Sequence, residues 1–291
     1  ACASGGWMHW TDGDWRDKIT AFPEQTTVTD QVGDALLHQV YTKLLHHCPT
    51  SPGHQHALKE RGLNPAHYGT LPEDKWARMN IGLMVEDEIA NRYWLDRTPG
   101  FYRPVPPQDV WDIAGSPGLL IPIRNHRGYI VGMQIRKDEG DPRYSFLSSR
   151  GMPSGMGSGS PVHVLNKAFD PVIITEGPLK ADYLWHNKGW GAIAVPGVNN
   201  IRGVLPALRE LSFKRVAVCY DMDWKTNPQV KKARTNLMQI LWCEGYQVSS
   251  FSWDPAYKGI DDALRAGCDL IQTDYDPDGA VPCARIYEGG Y

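Results

Sequence analysis

Two short runs of β-forming residues, each ending abruptly on carboxylates, constrain this chain more than any other feature. The first runs from Val172 to Thr175 (VIIT) and ends on Glu176-Gly177. The second runs from Val216 to Tyr220 (VAVCY) and ends on Asp221 and Asp223. A buried strand that releases acidic residues at its carboxyl end is how an open α/β sheet presents ligands to a crevice. Two acids at i and i+2 of an extended segment point to the same side. Hard oxygen donors of this kind suit Mg²⁺, which is held by one or two carboxylates together with substrate phosphates. The pattern implies phosphate chemistry with Mg²⁺ or Mn²⁺.

The surrounding rhythm supports a sheet. Strands are expected at 172–176, 191–195, 215–220 and 246–251, with helices near 178–188, 203–211, 228–244 and 259–266. Alternation of this sort implies a parallel sheet with right-handed crossovers. Upstream the pattern differs. Apolar residues from Val32 to Leu45 recur at helical spacing, with Thr29 or Asp30 as N-cap. A short helix is expected from His54 to Arg61, closed by Gly62, and another from Glu86 to Leu95. Residues 118–124 and 129–136 read as strands joined by a turn over Asn125 to Gly128, and 143–147 as a third strand. The Gly/Ser/Met-rich stretch 151–160 marks a boundary. The expected organisation is an arm over 1–30, a small mixed α+β subdomain over 31–160, a parallel-sheet subdomain over 161–268, and an acidic, turn-rich tail over 269–291 for which no element is expected.

Composition excludes several classes. With 42% hydrophobic and 22% charged residues, the chain reads as globular. No apolar run approaches the ~18 residues of a membrane span. A net charge of −3 argues against a uniformly basic nucleic-acid binder but leaves room for a local basic face. The six cysteines are scattered without a C-x-x-C, so neither a disulfide framework nor zinc-ligand spacing is present. The first residues lack the basic start and apolar stretch of a signal peptide, which points to a cytoplasmic setting. They also lack an initiator Met, as a piece of a longer protein would.

Each acid has a plainer explanation. Glu176 could cap the next helix, and Asp221 and Asp223 could be turn residues. Asp261 and Asp262, in Lys258 to Asp262 (KGIDD), could be first-turn acids of a helix. Their shared placement at strand ends of one sheet favours chemistry instead, because clustered carboxylates repel unless a cation neutralises them. Arg124, Arg127, Arg136, Arg143 and Lys180 could line a groove for phosphates or merely guard strand edges. Most tryptophans read as core residues, and Trp224, directly after Asp223, is the candidate for base stacking.

Taken together the motifs resemble the TOPRIM domain of bacterial primases, topoisomerases and some nucleases. Residues 120–136 (LIPIRNHRGYIVGMQIR), followed by 143–149 (RYSFLSS), are similar to the segment that precedes TOPRIM in DnaG-type primases. The motifs TEGPLKAD (175–182), VPGV (195–198), YDMD (220–223) and KGIDD (258–262) resemble the divergent primase-like domain of plasmid and phage replication proteins. The likeness covers roughly residues 36–267. Lys180 stands where DnaG-type primases have an acidic metal ligand, with Asp182 two residues on. Gly259 replaces the first Asp of the last acidic motif, leaving Asp261 as its match.

The resemblance implies a DNA primase, a metal-dependent nucleotidyltransferase serving replication of a plasmid, phage or other mobile element. Glu176, Asp221 and Asp223 would be catalytic, and these with Asp261 would hold Mg²⁺ or Mn²⁺, without zinc. Arg124, Arg136, Arg143 and Lys180 would bind template and nucleotide, while Asp182, Asp262 and Trp224 are further candidates. The partners implied are a single-stranded DNA template, ribonucleoside triphosphates and a replicative helicase, fused or recruited, with no membrane. The alternatives are a TOPRIM nuclease and a nucleic-acid-binding module without catalysis.

Overall fold

Alternation within single strands builds the sheet at the centre of the molecule. In β8 (Val172–Glu176), Ile173 faces one side, while Val172 and Ile174 face the other. The same alternation recurs in β9 (Ala192–Val195) and β10 (Arg215–Cys219), so both faces are apolar and must be covered. Complete burial of each Val or Ile side chain contributes roughly 1.5–3 kcal/mol. The computed structural model describes residues 33–104, 110–198, 201–277 and 284–287.

Among the described residues there are two sheets of four strands or more and one two-stranded ribbon. The smaller has the order β1-β4-β5-β6, from β1 (Gly69–Leu71), β4 (Gly118–Arg124), β5 (Ile130–Lys137) and β6 (Tyr144–Phe146), all pairing antiparallel. The expected turn joins β4 to β5: Gly128, at φ +82°, donates to the Asn125 carbonyl, and Asn125 donates to that of Tyr129. Helices α1 (Asp34–His47) and α3 (Lys75–Glu88) share a core with one face of this sheet, through Val40, Leu44, Val85, Leu120 and Ile135. A separate ribbon pairs β2 (Phe101–Tyr102) with β3 (Asp112–Ile113).

The larger sheet runs β13-β12-β11-β10-β8-β9-β7. Its four inner strands, β11 (Gln247–Ser252), β10, β8 and β9, are parallel as the sequence implies. Its margins are antiparallel: β7 (His163–Leu165) on β9, β12 (Leu270–Asp274) on β11, and β13 (Ala284–Tyr287) on β12. The fold is therefore mixed α+β with a mixed sheet, because the turn-rich stretch after Asp269 adds two strands. Helices α4 (Pro178–Tyr183) and α7 (Ile260–Arg265) cover one face; α5 (Val204–Leu211) and α6 (Pro228–Cys243) cover the other.

The two sheets meet through a common core. Leu119 and Ile121 of β4, with Leu58 of helix α2 (Pro52–Glu60), Leu63 and Tyr68, pack into the same cluster as Leu179, Tyr183 and Leu264. Strand β4 is thus buried on both faces.

Several helix boundaries differ from expectation. Helix α1 begins at Asp34 after Gly33; Thr29, Asp30 and the whole 1–30 arm lie outside the described residues. Helix α2 starts two residues earlier than its periodicity suggests, because the Ser51 side chain accepts from His54 N and Pro52 fits the first turn. The helix expected over 86–95 instead occupies 75–88. Asp74 caps it through Ala77 N, and Asn91 then opens a separate 3₁₀ turn over Arg92–Arg97. Exposed Trp76, Leu83 and Met84 blur the periodicity of α3. No helix among the described residues is long and apolar enough to cross a membrane.

Candidate active site

Strand order decides where the acids meet. From β8 the chain moves outward to β9, then returns across β8 to lay β10 on its other side. The ends of β8 and β10 therefore form the switch point of the sheet, where open α/β sheets bind their ligands. Glu176 ends β8. Asp221 follows β10 and opens a 3₁₀ turn over Met222–Lys225. The backbone N–H of Asp221 donates to Glu176 Oε1 at 3.3 Å, which ties the two strand ends together.

Glu176 is not a helix cap. The cap position of α4 is Gly177, whose φ of +79° turns the chain sharply out of the strand. Burial, with the charge of Asp221 and, less, of Asp223, pushes the Glu176 carboxyl up to about 7, against the opposing pull of Lys180. A carboxyl at that value exchanges protons near neutral pH.

Two lysines sit on the aspartates. Lys180 Nζ lies 2.6 Å from Asp221 Oδ1, an ion pair rather than an aligned hydrogen bond. Lys258 Nζ lies 3.3 Å from Asp223 Oδ2 and 3.8 Å from Asp221 Oδ2. Met222 N donates to the Lys258 carbonyl, fastening the loop after β11 to the loop after β10. Asp261, buried at the start of α7, is 3.5 Å from Arg61 Nη1, and burial followed by the neighbouring Asp262 raises its carboxyl above the usual range. Oδ1 of Asp223 and Oδ1 of Asp261 are buried without a hydrogen-bond partner. Such oxygens are costly to leave unpaired and fit a hard cation. Among the described residues, however, no group of three or more His, Cys, Asp or Glu converges as a ready metal cage.

A cleft of about 230 Å³ opens over Glu176 and Asp221, lined by Glu176 to Lys180, Val195 to Gly197 and Asp221 on one side, and by Arg61, Gln134 and Tyr144 on the other. Register extends this second wall. Arg136 lies two residues from Gln134 on β5 and directly opposite Tyr144 on β6, so it projects from the same face. Arg143 lies just before β6, exposed and out of phase with Tyr144.

Other candidates are elsewhere. Arg124 lines a separate cavity of about 400 Å³ with His67, Tyr68, Trp185 and His186, and its guanidinium donates to the Gly128 carbonyl of its own hairpin. Asp182 is turned away from the acid cluster and buried in a relay. Tyr68 Oη donates to Oδ2 at 2.8 Å, and His163 Nε2 is 3.1 Å from Oδ1. His163 Nδ1 accepts from Arg124 N. This network clasps β4, β7 and α4, a structural duty that accounts for the burial of both His163 and Asp182. Asp262 pairs with Arg265 on the surface of α7. Trp224 is half-buried, with the Arg234 guanidinium 4.3 Å from its ring centre and Lys225 at 5.9 Å, and it lines a cavity separate from the cleft over Glu176 and Asp221. Sequence reasoning missed Arg61, Gln134, Tyr144 and Lys258. Of these, Lys258 stands inside the KGIDD motif, and Tyr144 inside the segment similar to the primase one.

Comparison with known proteins agrees with this architecture. A family model described as a domain of unknown function (DUF3854) matches residues 163–269. No curated protein matches the sequence. Among solved structures, the Aquifex aeolicus primase (zinc-binding and RNA polymerase domains) is similar at 18% identity and a TM-score of 0.58. That match covers 78% of this chain and 58% of the Aquifex one. A DnaG primase catalytic domain bound to single-stranded DNA matches at 16% identity and a TM-score of 0.55, covering 79% and 74%. The RNA polymerase domain of Mycobacterium tuberculosis DnaG in complex with double-stranded DNA matches at 18% and 0.53, covering 81% and 80%. The chain has the fold of the DnaG primase catalytic core. It spans 58% of the length of the Aquifex protein.

Proposed function

We propose that this protein is a DNA primase, a metal-dependent nucleotidyltransferase that joins ribonucleotides on single-stranded DNA. The observation that carries the reading is the position of Glu176 and Asp221 at the switch point of a primase-type sheet, with Asp223 two residues on, and their facing Gln134 and Tyr144 of the second sheet across one cleft. Binding of single- and double-stranded DNA by proteins of this fold supports a DNA template. A replicative helicase partner and service to a plasmid or phage fit the motif likeness.

Asp221 and Asp223, with Glu176 at hand, would hold Mg²⁺ or Mn²⁺. Such an ion neutralises charge developing on phosphate oxygens during phosphoryl transfer. The chain's own groups supply the rest. Glu176, poised near neutral, accepts the proton of the attacking hydroxyl. Arg61 and Arg136 offer positive charge to phosphates along the opposite wall, and the two walls together orient the reactants.

Incubation with single-stranded DNA, Mg²⁺ or Mn²⁺ and labelled ribonucleoside triphosphates tests the proposal. Labelled oligonucleotides are expected, and they should disappear with Glu176→Gln. Cleavage of the DNA would identify a nuclease instead. DNA binding with neither product would identify a non-catalytic module, the reading favoured by the lysines that already occupy the aspartates.

A further inference from the structure

The acid cluster carries its own cations, and the two differ in kind. Lys180 is enclosed: its side chain is 18% exposed and its ammonium group touches Asp221 Oδ1. The fold makes room for it. A Cβ on Gly259 would stand 2.8 Å from Lys180 Cε and 2.5 Å from Asp261 Oδ1, so only glycine admits both groups in their present places. The Lys180 charge also acts on Glu176 and Asp261, lowering both carboxyls against burial. Lys258 is different, being 67% exposed and spanning Asp221 and Asp223 at longer distances. An exposed, extended lysine can leave its partners at little cost, whereas removing a buried one strands the charge it neutralises.

We infer that Lys180 is a built-in cation that permanently fills the Glu176–Asp221–Asp261 side of the cluster, so that the site admits one divalent ion, on the Asp221–Asp223 side, in exchange for the Lys258 ammonium group. The inference deepens the proposed metal-dependent reading and rests on it. A divalent ion needs several oxygens at 2.0–2.6 Å. With Asp221 Oδ1 taken, the oxygens left together are Asp221 Oδ2 and those of Asp223. The division of labour explains why one lysine is packed into the fold while the other is exposed.

Titration with Mn²⁺, counting free ion by electron paramagnetic resonance, tests this without reference to catalysis. Wild type should bind one ion per chain. Lys180→Gln should bind two, or one at least tenfold more tightly, whereas Lys180→Arg should remain at one with ordinary affinity. Lys258→Gln should keep one ion and bind it several-fold more tightly. Circular-dichroism melts establish that each variant is folded; if Lys180→Gln is not, the wild-type count and Lys258→Gln still decide. Two ions on wild type, no change in Lys180→Gln, or no gain in Lys258→Gln would overturn the inference. Two ions on wild type with primer synthesis intact would remove the role of Lys180 alone. Absence of Mn²⁺ binding by wild type and by both glutamine variants would overturn the metal-dependent reading as well.

Discussion

Replacing Glu176 by glutamine keeps the shape of the side chain, and its remaining oxygen can still accept from Asp221 N. What disappears is a carboxyl held at about 7 against an ordinary 4.5. Below about 4.5 the group is protonated in both folded and unfolded chains. As pH rises through 7, the unfolded chain has already lost the proton that the folded chain retained, so wild-type stability falls across that window. The full span corresponds to about 3 kcal/mol. Glutamine does not titrate, so Glu176→Gln should gain about 2–3 kcal/mol over wild type at pH 8 relative to pH 4.5. For a chain of this length that is roughly 3–5 °C in Tm. Thermal unfolding in EDTA across pH 4.5–8 measures the difference, and a parallel primer-synthesis assay should show activity abolished. A pH-independent difference, or a loss of stability at pH 8, would refute the idea that burial and Asp221 hold Glu176 protonated.

Asp182→Asn should lower stability by roughly 1–3 kcal/mol, because a buried network loses a charged acceptor of Tyr68 and His163. Mn²⁺ affinity should be unchanged; a weakened Mn²⁺ isotherm would return Asp182 to the metal site. Arg136→Ala should weaken single-stranded DNA binding and flatten its log–log salt dependence by roughly 0.7, whereas Arg143→Ala should do less, as fluorescence anisotropy at several salt concentrations can show. Gly82→Ala, although it improves helix propensity, should destabilise α3 by roughly 1–3 kcal/mol. The new Cβ would stand 2.4 Å from the carbonyl oxygen of Trp111, and denaturant unfolding reads the loss.

The inner strands and their helices were legible because each carries a local signature. VII, AIAV and VAVC are apolar throughout, as strands covered on both faces must be, and helical periodicity fills the intervals between them. The carboxylates at the strand ends were legible for the same reason, since a strand end is a local event. Helix α3 was not legible in full, because its exposed Trp76, Leu83 and Met84 mimic core positions. Strand β12 was hidden for another reason: its apolar and polar residues do not sort by face, since Ile271 is exposed between the buried Leu270 and Gln272.

The sequence by itself determined that acids would stand at the ends of parallel strands, and which residues they are. Only the tertiary structure decided which of them meet. The crossover that returns the chain from β9 to β10 brings Glu176 beside Asp221, and the fastening of Met222 to Lys258 brings the second lysine over the aspartates. Asp182, only six residues from Glu176, belongs to a different network because α4 rotates it towards Tyr68 and His163. Arg124 and Arg136, which sequence places in one basic set, stand at opposite ends of the β4–β5 hairpin, Arg124 opposite Ile130 beside the turn and Arg136 opposite Leu119. Proximity along the chain fixes secondary structure, but the contacts that shift a pKa or place a cation are long-range, and they exist only once the sheets have packed.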